Sequence, residues 1–155
     1  MTNLDAIDKK ILDILQRYGK ISNVELAKRV NLSATPCQER VKRLEREGFL
    51  IGVYAHLNPQ KLNAGLQVFV EVSLEKTIPA VFEKFADSIK YLEEVLECHM
   101  VAGGFDYLLK IRTADMDEYR KFLGREITSI PGVIQTHTYF VMEEVKSTHL
   151  IRLRN

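Results

Sequence analysis

The chain has 155 residues, 46% of them hydrophobic and 28% charged, with a formal net charge of +1. That is the balance of an ordinary globular protein able to bury roughly 70% of its unfolded surface, and two cysteines are too few for a disulfide framework. No apolar run approaches the ~18 residues of a membrane span, and no basic-then-apolar signal sequence opens the chain, so a cytosolic protein without membrane association is expected.

Residues 5–18 carry Ile7, Ile11, Leu12, Ile14 and Leu15 on a broad apolar stripe and predict a helix that Gly19 ends. Residues 21–48, ISNVELAKRVNLSATPCQERVKRLEREG, read as two further helices joined by a tight turn. Asn23 is the expected N-cap of the first, and Asn31 can end it in a left-handed conformation. Ser33 is the expected cap of the second, and Pro36 lies in its first turn, where a missing amide hydrogen costs least. Cys37, Val41 and Leu44 then bury one face, and Gly48 stops the helix.

Thr35, Gln38, Glu39, Lys42 and Arg46 point away from that buried face, and Arg40 and Arg43 flank it. This is the outline of a helix-turn-helix, whose second helix fits the DNA major groove. Gln, Lys and Arg can read base edges, and Ser, Thr, Lys and Arg can hold phosphates. Ser33, Thr35, Pro36, Gln38, Glu39, Arg40, Lys42, Arg43 and Arg46 are therefore the candidate DNA-binding residues. Alone, such a helix would more often be a solvated charged face. The preceding helix, the short turn and the paired caps favour DNA.

Residues 49–55, FLIGVYA, read as a strand that completes a small winged-type domain. The helix-turn-helix domain is assigned to residues 1–49, and residues 50–63 form a hinge strand and linker broken at Asn58-Pro59. Residues 1–54 hold ten Lys/Arg against seven Asp/Glu, while residues 55–155 hold twelve against fourteen. The basic bias of the first part is modest. Since phosphate contacts supply much of DNA affinity, a dimer or higher assembly is expected.

The second domain, residues 64–155, has a different rhythm. Residues 66–74 predict a strand with Val68, Val70 and Val72 on one face. Thr77 is the expected cap of a helix with Pro79 near its start and Val81, Phe82, Phe85 and Ile89 on its core stripe. Residues 95–102 and 106–113 are strands joined through Gly103-Gly104-Phe105. Asp115 caps a second helix bearing Met116, Tyr119, Phe122 and Leu123, which Pro131-Gly132 ends. Residues 133–145 form a long last strand, and residues 149–153 add a short one. The order β-α-β-β-α-β is the ferredoxin-like arrangement, so the fold class is α+β. Val68, Val70 and alternate residues of the last strand are expected on the sheet face that lacks helices, where a second subunit would cover them.

Other constellations are weak. Cys98 and His99 are strand neighbours facing opposite sides and cannot easily share a metal. Ser33, Asp106 and His137 have no nucleophile elbow to support a hydrolase reading. No Gly-rich phosphate loop is present. A small metabolic enzyme or metabolite-binding protein is the alternative; the basic recognition helix argues against it, and no enzyme and no cofactor are expected.

The chain resembles the Lrp/AsnC, or feast/famine, family of bacterial transcription regulators. The resemblance runs from Leu4 to about Ser147. Its marks are Leu4-Asp5-x-x-Asp8, Ile21-Ser22-Asn23-Val24-Glu25-Leu26, Thr35-Pro36-Cys37 with Arg40-Val41-x-Arg43-Leu44-Glu45, Phe105-Asp106-Tyr107-Leu108-Leu109, Pro131-Gly132-Val133 and Val141-Met142-Glu143-Glu144-Val145-Lys146. Three positions depart from the family pattern: Ala34 stands where proline is frequent, Gly104 where aspartate is frequent, and Phe140 where valine is expected.

The resemblance implies an N-terminal helix-turn-helix and a C-terminal amino-acid-sensing domain, often called RAM. It implies a homodimer assembling to an octamer or a larger ring that wraps double-stranded DNA, a nucleoid-associated protein controlling amino-acid metabolism genes and its own. The effector implied is an amino acid, leucine or methionine, bound where two dimers meet. Carried onto this sequence, its site comprises Met100, Gly103, Gly104, Asp106, Met116, Tyr139, Phe140 and Val141. Glycine amides can approach a carboxylate, Asp106 can meet an α-ammonium group, and Met100, Met116, Phe140 and Val141 can form an apolar pocket.

Overall fold

A computed structural model of the chain describes residues 4–76 and 78–153. Three helices open it: α1 (Ala6–Arg17), α2 (Asn23–Arg29) and α3 (Ala34–Arg46). Asp5 caps α1 in a reciprocal capping box with Asp8. Such a box satisfies two amide donors that the first helical turn leaves without partners. The cap of α2 is Ser22, whose hydroxyl accepts from Glu25 N–H at 3.2 Å, and not the expected Asn23. Asn23 instead donates its side-chain amide to Ala34 O, 2.9 Å away, tying the starts of α2 and α3 together. Asn31 does adopt the left-handed conformation (φ 58°), and Gly48 (φ 77°) closes α3.

Ile11, Leu12, Ile14 and Leu15 of α1 bury against Leu26, Ala27, Val30, Cys37 and Leu44. Residues 49–55 do not form the expected strand. A strand is stable only when its amides and carbonyls meet a partner ladder, and none pairs with this segment among the described residues. Ile51 and Tyr54 stay more than four-fifths exposed. The segment still passes close to α1, since a Cβ on Gly19 would lie 2.6 Å from Val53 Cγ1.

The described structure divides into two units. One runs to Leu57 and includes the segment from Lys146 onward; the other spans Asn58–Val145. The C-terminal tail, placed by its sequence with the second domain, therefore belongs to the first unit. Gln16 holds it by accepting from Ile151 N–H at 2.9 Å and donating to Ile151 O at 3.0 Å. Leu153 packs on the helical core. No strand forms at 149–153.

The second unit begins with a short 3₁₀ turn, Pro59–Leu62, capped by Asn58. It continues as β1 (Leu66–Leu74), α4 (Pro79–Ile89), β2 (Val95–Met100), β3 (Tyr107–Thr113), α5 (Met116–Phe122) with a π turn at Leu123–Ile127, and β4 (Val133–Phe140). Thr77, expected to cap α4, lies outside the described residues. The helical segment after Asp115 ends at Ile127, before Pro131-Gly132. Gly132 opens β4 with φ 96°, where a Cβ would press on Val81. The sheet order is β2-β3-β1-β4, all neighbours antiparallel. This is the ferredoxin-like order.

The faces of the sheet are reversed from expectation. Val68, Val70 and Val72 are buried with Phe85, Ile89, Tyr119 and Phe122 of α4 and α5, so they lie under the helices. The helix-free face carries Phe69, Glu71, Leu108, Lys110, Arg112, His137 and Tyr139. The reason is the composition of β1: its two alternating sets are Val68-Val70-Val72-Leu74 and Gln67-Phe69-Glu71-Ser73, and the wholly apolar set takes the dry side. β4 also ends at Phe140, five residues short of the expected end, because β1 stops offering partners beyond Gln67, which receives Val141 N–H.

Candidate nucleic-acid interface and ligand site

Helix α3 is anchored from beneath. Cys37 and Leu44 are fully buried, and burial pushes the Cys37 thiol up from its ordinary pKa. The opposite face presents Thr35, Gln38, Glu39, Lys42 and Arg46 to solvent. Ser33 occupies the N-cap position but makes no capping bond. Its exposed hydroxyl remains available. Pro36 sits in the first turn, partly buried. Ser33, Thr35, Gln38, Lys42 and Arg46 thus form a continuous polar edge with two cations, as the sequence suggests.

Arg40 and Arg43 depart from that row. Arg40 Nη1 donates to Asp5 Oδ2 at 2.6 Å and to Asp8 Oδ1 at 2.8 Å. Arg43 Nη2 lies 2.5 Å from Asp8 Oδ2. The Asp8 side chain is only 1% exposed. The Asp8 N–H and then the Arg40 guanidinium hold the Asp5 carboxyl below the usual carboxylate range. Asp5 and Asp8 in turn raise Arg40. The sequence reading did not single out Asp8 as the partner of these two arginines. The signal was available: a carboxylate interrupting the apolar stripe of α1, between Ile7 and Ile11.

The candidate ligand residues fall into two groups. Met100 ends β2, and the loop beyond it carries Gly103 and Gly104, with Asp106 just before β3. Met116 starts α5, Tyr139 and Phe140 end β4, and Val141 directly follows it. The register places Met100 of the first group and Phe140 of the second at opposite corners. Met100, Tyr107, Val72 and Thr136 form one row across the sheet, and Val95, Ile111, Val68 and Phe140 another. The rows lie four residues apart along β1, and the corners are separated by three strand spacings. At ~3.3 Å per residue and ~4.8 Å per strand, the separation is about 20 Å. One amino acid cannot bridge that gap within one chain.

Each corner has distinct chemistry. A Cβ on Gly103 or Gly104 would meet nothing within 4 Å, and neither glycine has a positive φ. This chain's own backbone therefore does not demand glycine there, and the space above the loop is open. Asp106 already has a partner: its Oδ2 accepts from Leu74 N–H at 2.7 Å, locking the loop to the end of β1. At the other corner the Phe140 ring meets Tyr119 edge-on at 5.6 Å, and Tyr119 hydrogen-bonds Thr138. Met100, Met116, Tyr139 and Phe140 are all exposed. Tyr139 is turned to the helix-free face, where Glu71 raises its phenol pKa. Among the described residues no cluster of metal-ligating side chains occurs, and no helix is long and apolar enough to cross a membrane.

Residues 4–51 match the family described as winged helix-turn-helix DNA-binding, and residues 67–151 match the Lrp/AsnC ligand binding domain. The chain is 58% identical over 151 residues to the leucine-responsive regulatory protein of Haemophilus influenzae, covering 97% of this chain and 91% of that one. It is 55% identical over 152 residues to the protein of the same name from Escherichia coli K12, covering 98% and 93%. Among solved structures it is similar to a Neisseria meningitidis transcriptional regulator in complex with L-Met, with a TM-score of 0.91, 39% identity and 97% coverage of both chains. An AsnC family regulator from Agrobacterium tumefaciens follows at TM-score 0.90 and 32% identity, covering 96% of this chain and 97% of that one.

Proposed function

The chain belongs to the Lrp/AsnC family of DNA-binding transcriptional regulators, and from that premise we propose how it reads DNA and what it answers to. Helix α3 enters the major groove. Gln38, Lys42 and Arg46 meet base edges or phosphates, Ser33 and Thr35 hold the backbone at the start of the helix, and Pro36 sets its first turn. Glu39 reads cytosine amino groups or repels phosphate, which sharpens choice. Arg40 and Arg43 belong to this surface through α3, but their guanidinium groups are occupied by Asp5 and Asp8. The observation carrying this reading is the exposed row Thr35, Gln38, Lys42 and Arg46 on a helix pinned from its other side.

The effector is an amino acid with an apolar side chain, leucine or methionine. The leucine-responsive relatives and the L-Met complex of a similar regulator support this range. The site is shared between copies: the Met100–Gly103–Gly104–Asp106 corner of one chain meets the Met116–Tyr139–Phe140–Val141 corner of another. The ~20 Å separation of the two corners within one chain favours that arrangement. Homodimers that assemble to octamers or larger rings supply such junctions. The helix-free sheet face with Phe69, Leu108 and Tyr139, and the unpaired apolar residues of the 50–63 linker, are the surfaces a second copy would cover. The protein acts in the cytoplasm on the nucleoid, where its DNA lies, at amino-acid metabolism genes and its own promoter.

Fluorescence anisotropy on DNA from upstream of its own gene tests this. It is run at near-physiological salt with excess competitor DNA, with and without leucine or methionine. Specific binding that either amino acid shifts is expected. Lys42→Ala with Arg46→Ala should weaken binding by tenfold or more while assembly is kept. Unchanged affinity in that double variant would remove α3 from the interface.

A further inference from the structure

Asp8 is a charged side chain buried in the DNA-binding unit, and the base-reading surface does not include it. Its carboxylate is 1% exposed and meets Arg40 Nη1 at 2.8 Å and Arg43 Nη2 at 2.5 Å. Asp5 takes Arg40 Nη1 as well, at 2.6 Å. Arg43 is committed inward: its Nε is buried without a hydrogen-bond partner among the described residues. Arg40 and Arg43 lie one turn apart on the same flank of α3. One buried carboxylate gripping both fixes the rotation of α3 about its own axis.

Rotation matters because base reading is short-ranged. Side-chain tips lie ~5–6 Å from a helix axis. A turn of ~30° therefore shifts Gln38, Lys42 or Arg46 by about 3 Å, a full hydrogen-bond length. Non-specific binding is insensitive to such a turn, since it depends on how many cations reach phosphates. We propose that Asp8 is a positioning residue for operator recognition: by holding Arg40 and Arg43 it sets the angle at which α3 presents its base-reading side chains, and it withholds those two cations from the DNA backbone. Its neutralisation then has two opposite effects. Specific reading is lost, and phosphate contacts are gained. A residue that only stabilises the fold would lower both together.

The proposal rests on α3 being the reading helix, so the wild type and Lys42→Ala/Arg46→Ala are measured alongside. Binding is followed on an operator selected in vitro by the wild-type protein and on random-sequence duplex, across a salt series. For Asp8→Asn the ratio of specific to non-specific affinity should fall at least tenfold. The slope of log affinity against log salt on random duplex should steepen by one to two, as one or two further phosphates are met. Arg40→Gln/Arg43→Gln in the Asp8→Asn background should return the slope to its wild-type value without restoring the ratio. An unchanged ratio and slope, or a parallel loss of both affinities, overturns the proposal. If Asp8→Asn melts the helical unit, as far-UV circular dichroism would show, Asp5→Asn decides. It frees only part of the grip on Arg40, so the slope should steepen measurably but by no more than about one. A flat result there overturns the proposal. Failure of Lys42→Ala/Arg46→Ala to weaken operator binding would instead refute α3 as the reader.

Discussion

Single side chains in the helical unit divide between those that hold the scaffold and those left to solvent. Asp5 belongs to the first set. It caps α1 through Asp8 N–H at 2.7 Å and pairs with Arg40. Both interactions favour the ionised carboxylate, so its pKa is lowered in the folded chain. The sign follows from linkage: a lowered carboxyl pKa adds stability above the unfolded value, and that stability is lost as pH falls through the folded value. Thermal melts of the wild type should therefore show the helical unit weakening on acidification below about pH 4, the usual carboxylate range. In Asp5→Asn that acid limb should flatten, while stability at neutral pH drops modestly. An identical acid limb in the variant would show that Asp5 contributes nothing to it. Asp106 needs similar care. Because it accepts from Leu74 N–H, Asp106→Ala would disturb the loop as well as any ligand, so Asp106→Asn is the better probe of the effector response.

Among elements, α2 and α3 make contrasting use of serine at their N-termini. Ser22 bonds Glu25 N–H, whereas Ser33 occupies the same position on α3 and makes no such bond. Ser22→Ala should cost about 1 kcal/mol, the usual worth of an N-cap bond. Ser33→Ala should leave the melting temperature nearly unchanged, yet weaken DNA binding, if its free hydroxyl meets a phosphate. The reverse ranking in melting experiments would contradict the capping pattern. Helix α5 shows a different control: Asp115 caps it, but a π turn at Leu123–Ile127 ends it, and Pro131-Gly132 serves the entrance of β4. Pro131-Gly132 therefore does not end the helix, as its sequence suggests, but forms the turn into β4. A break in helical periodicity and a turn before a strand leave the same residue types behind.

For the whole molecule, the diagonal placement of the proposed ligand residues makes a prediction that one chain alone cannot meet. Met100→Glu and Phe140→Glu each spoil one corner. Each homogeneous variant should lose the amino-acid response in anisotropy while keeping DNA binding. Mixed and reassembled, the two should regain part of it, because some junctions then pair two intact corners. No recovery in the mixture would overturn the shared site. The covering surfaces follow the same logic. A ferredoxin-like sheet with both helices on one side leaves a face bearing Phe69, Leu108 and Tyr139, and linker residues such as Ile51 and Tyr54 are exposed.

Much of this was legible in the residues. Periodicity gave the three helices of the reading unit, their buried Cys37 and Leu44, and the exposed row on α3, because spacing of 3.6 residues decides which side chains share a face. Asn31 and Gly48 marked the ends of their helices for a backbone reason that any sequence carries, the steric freedom of a left-handed turn. The βαββαβ order was likewise readable from alternating patterns and their lengths. Tertiary structure decided the rest, wherever a choice depended on a partner distant in sequence. Alternation in β1 could not say which set of residues would meet the helices until the helices were in place. The apolar run at 49–55 had strand composition but no ladder to join. The grip of Asp8 on Arg40 and Arg43 spans more than thirty residues, and only folding brings that carboxylate to those guanidinium groups.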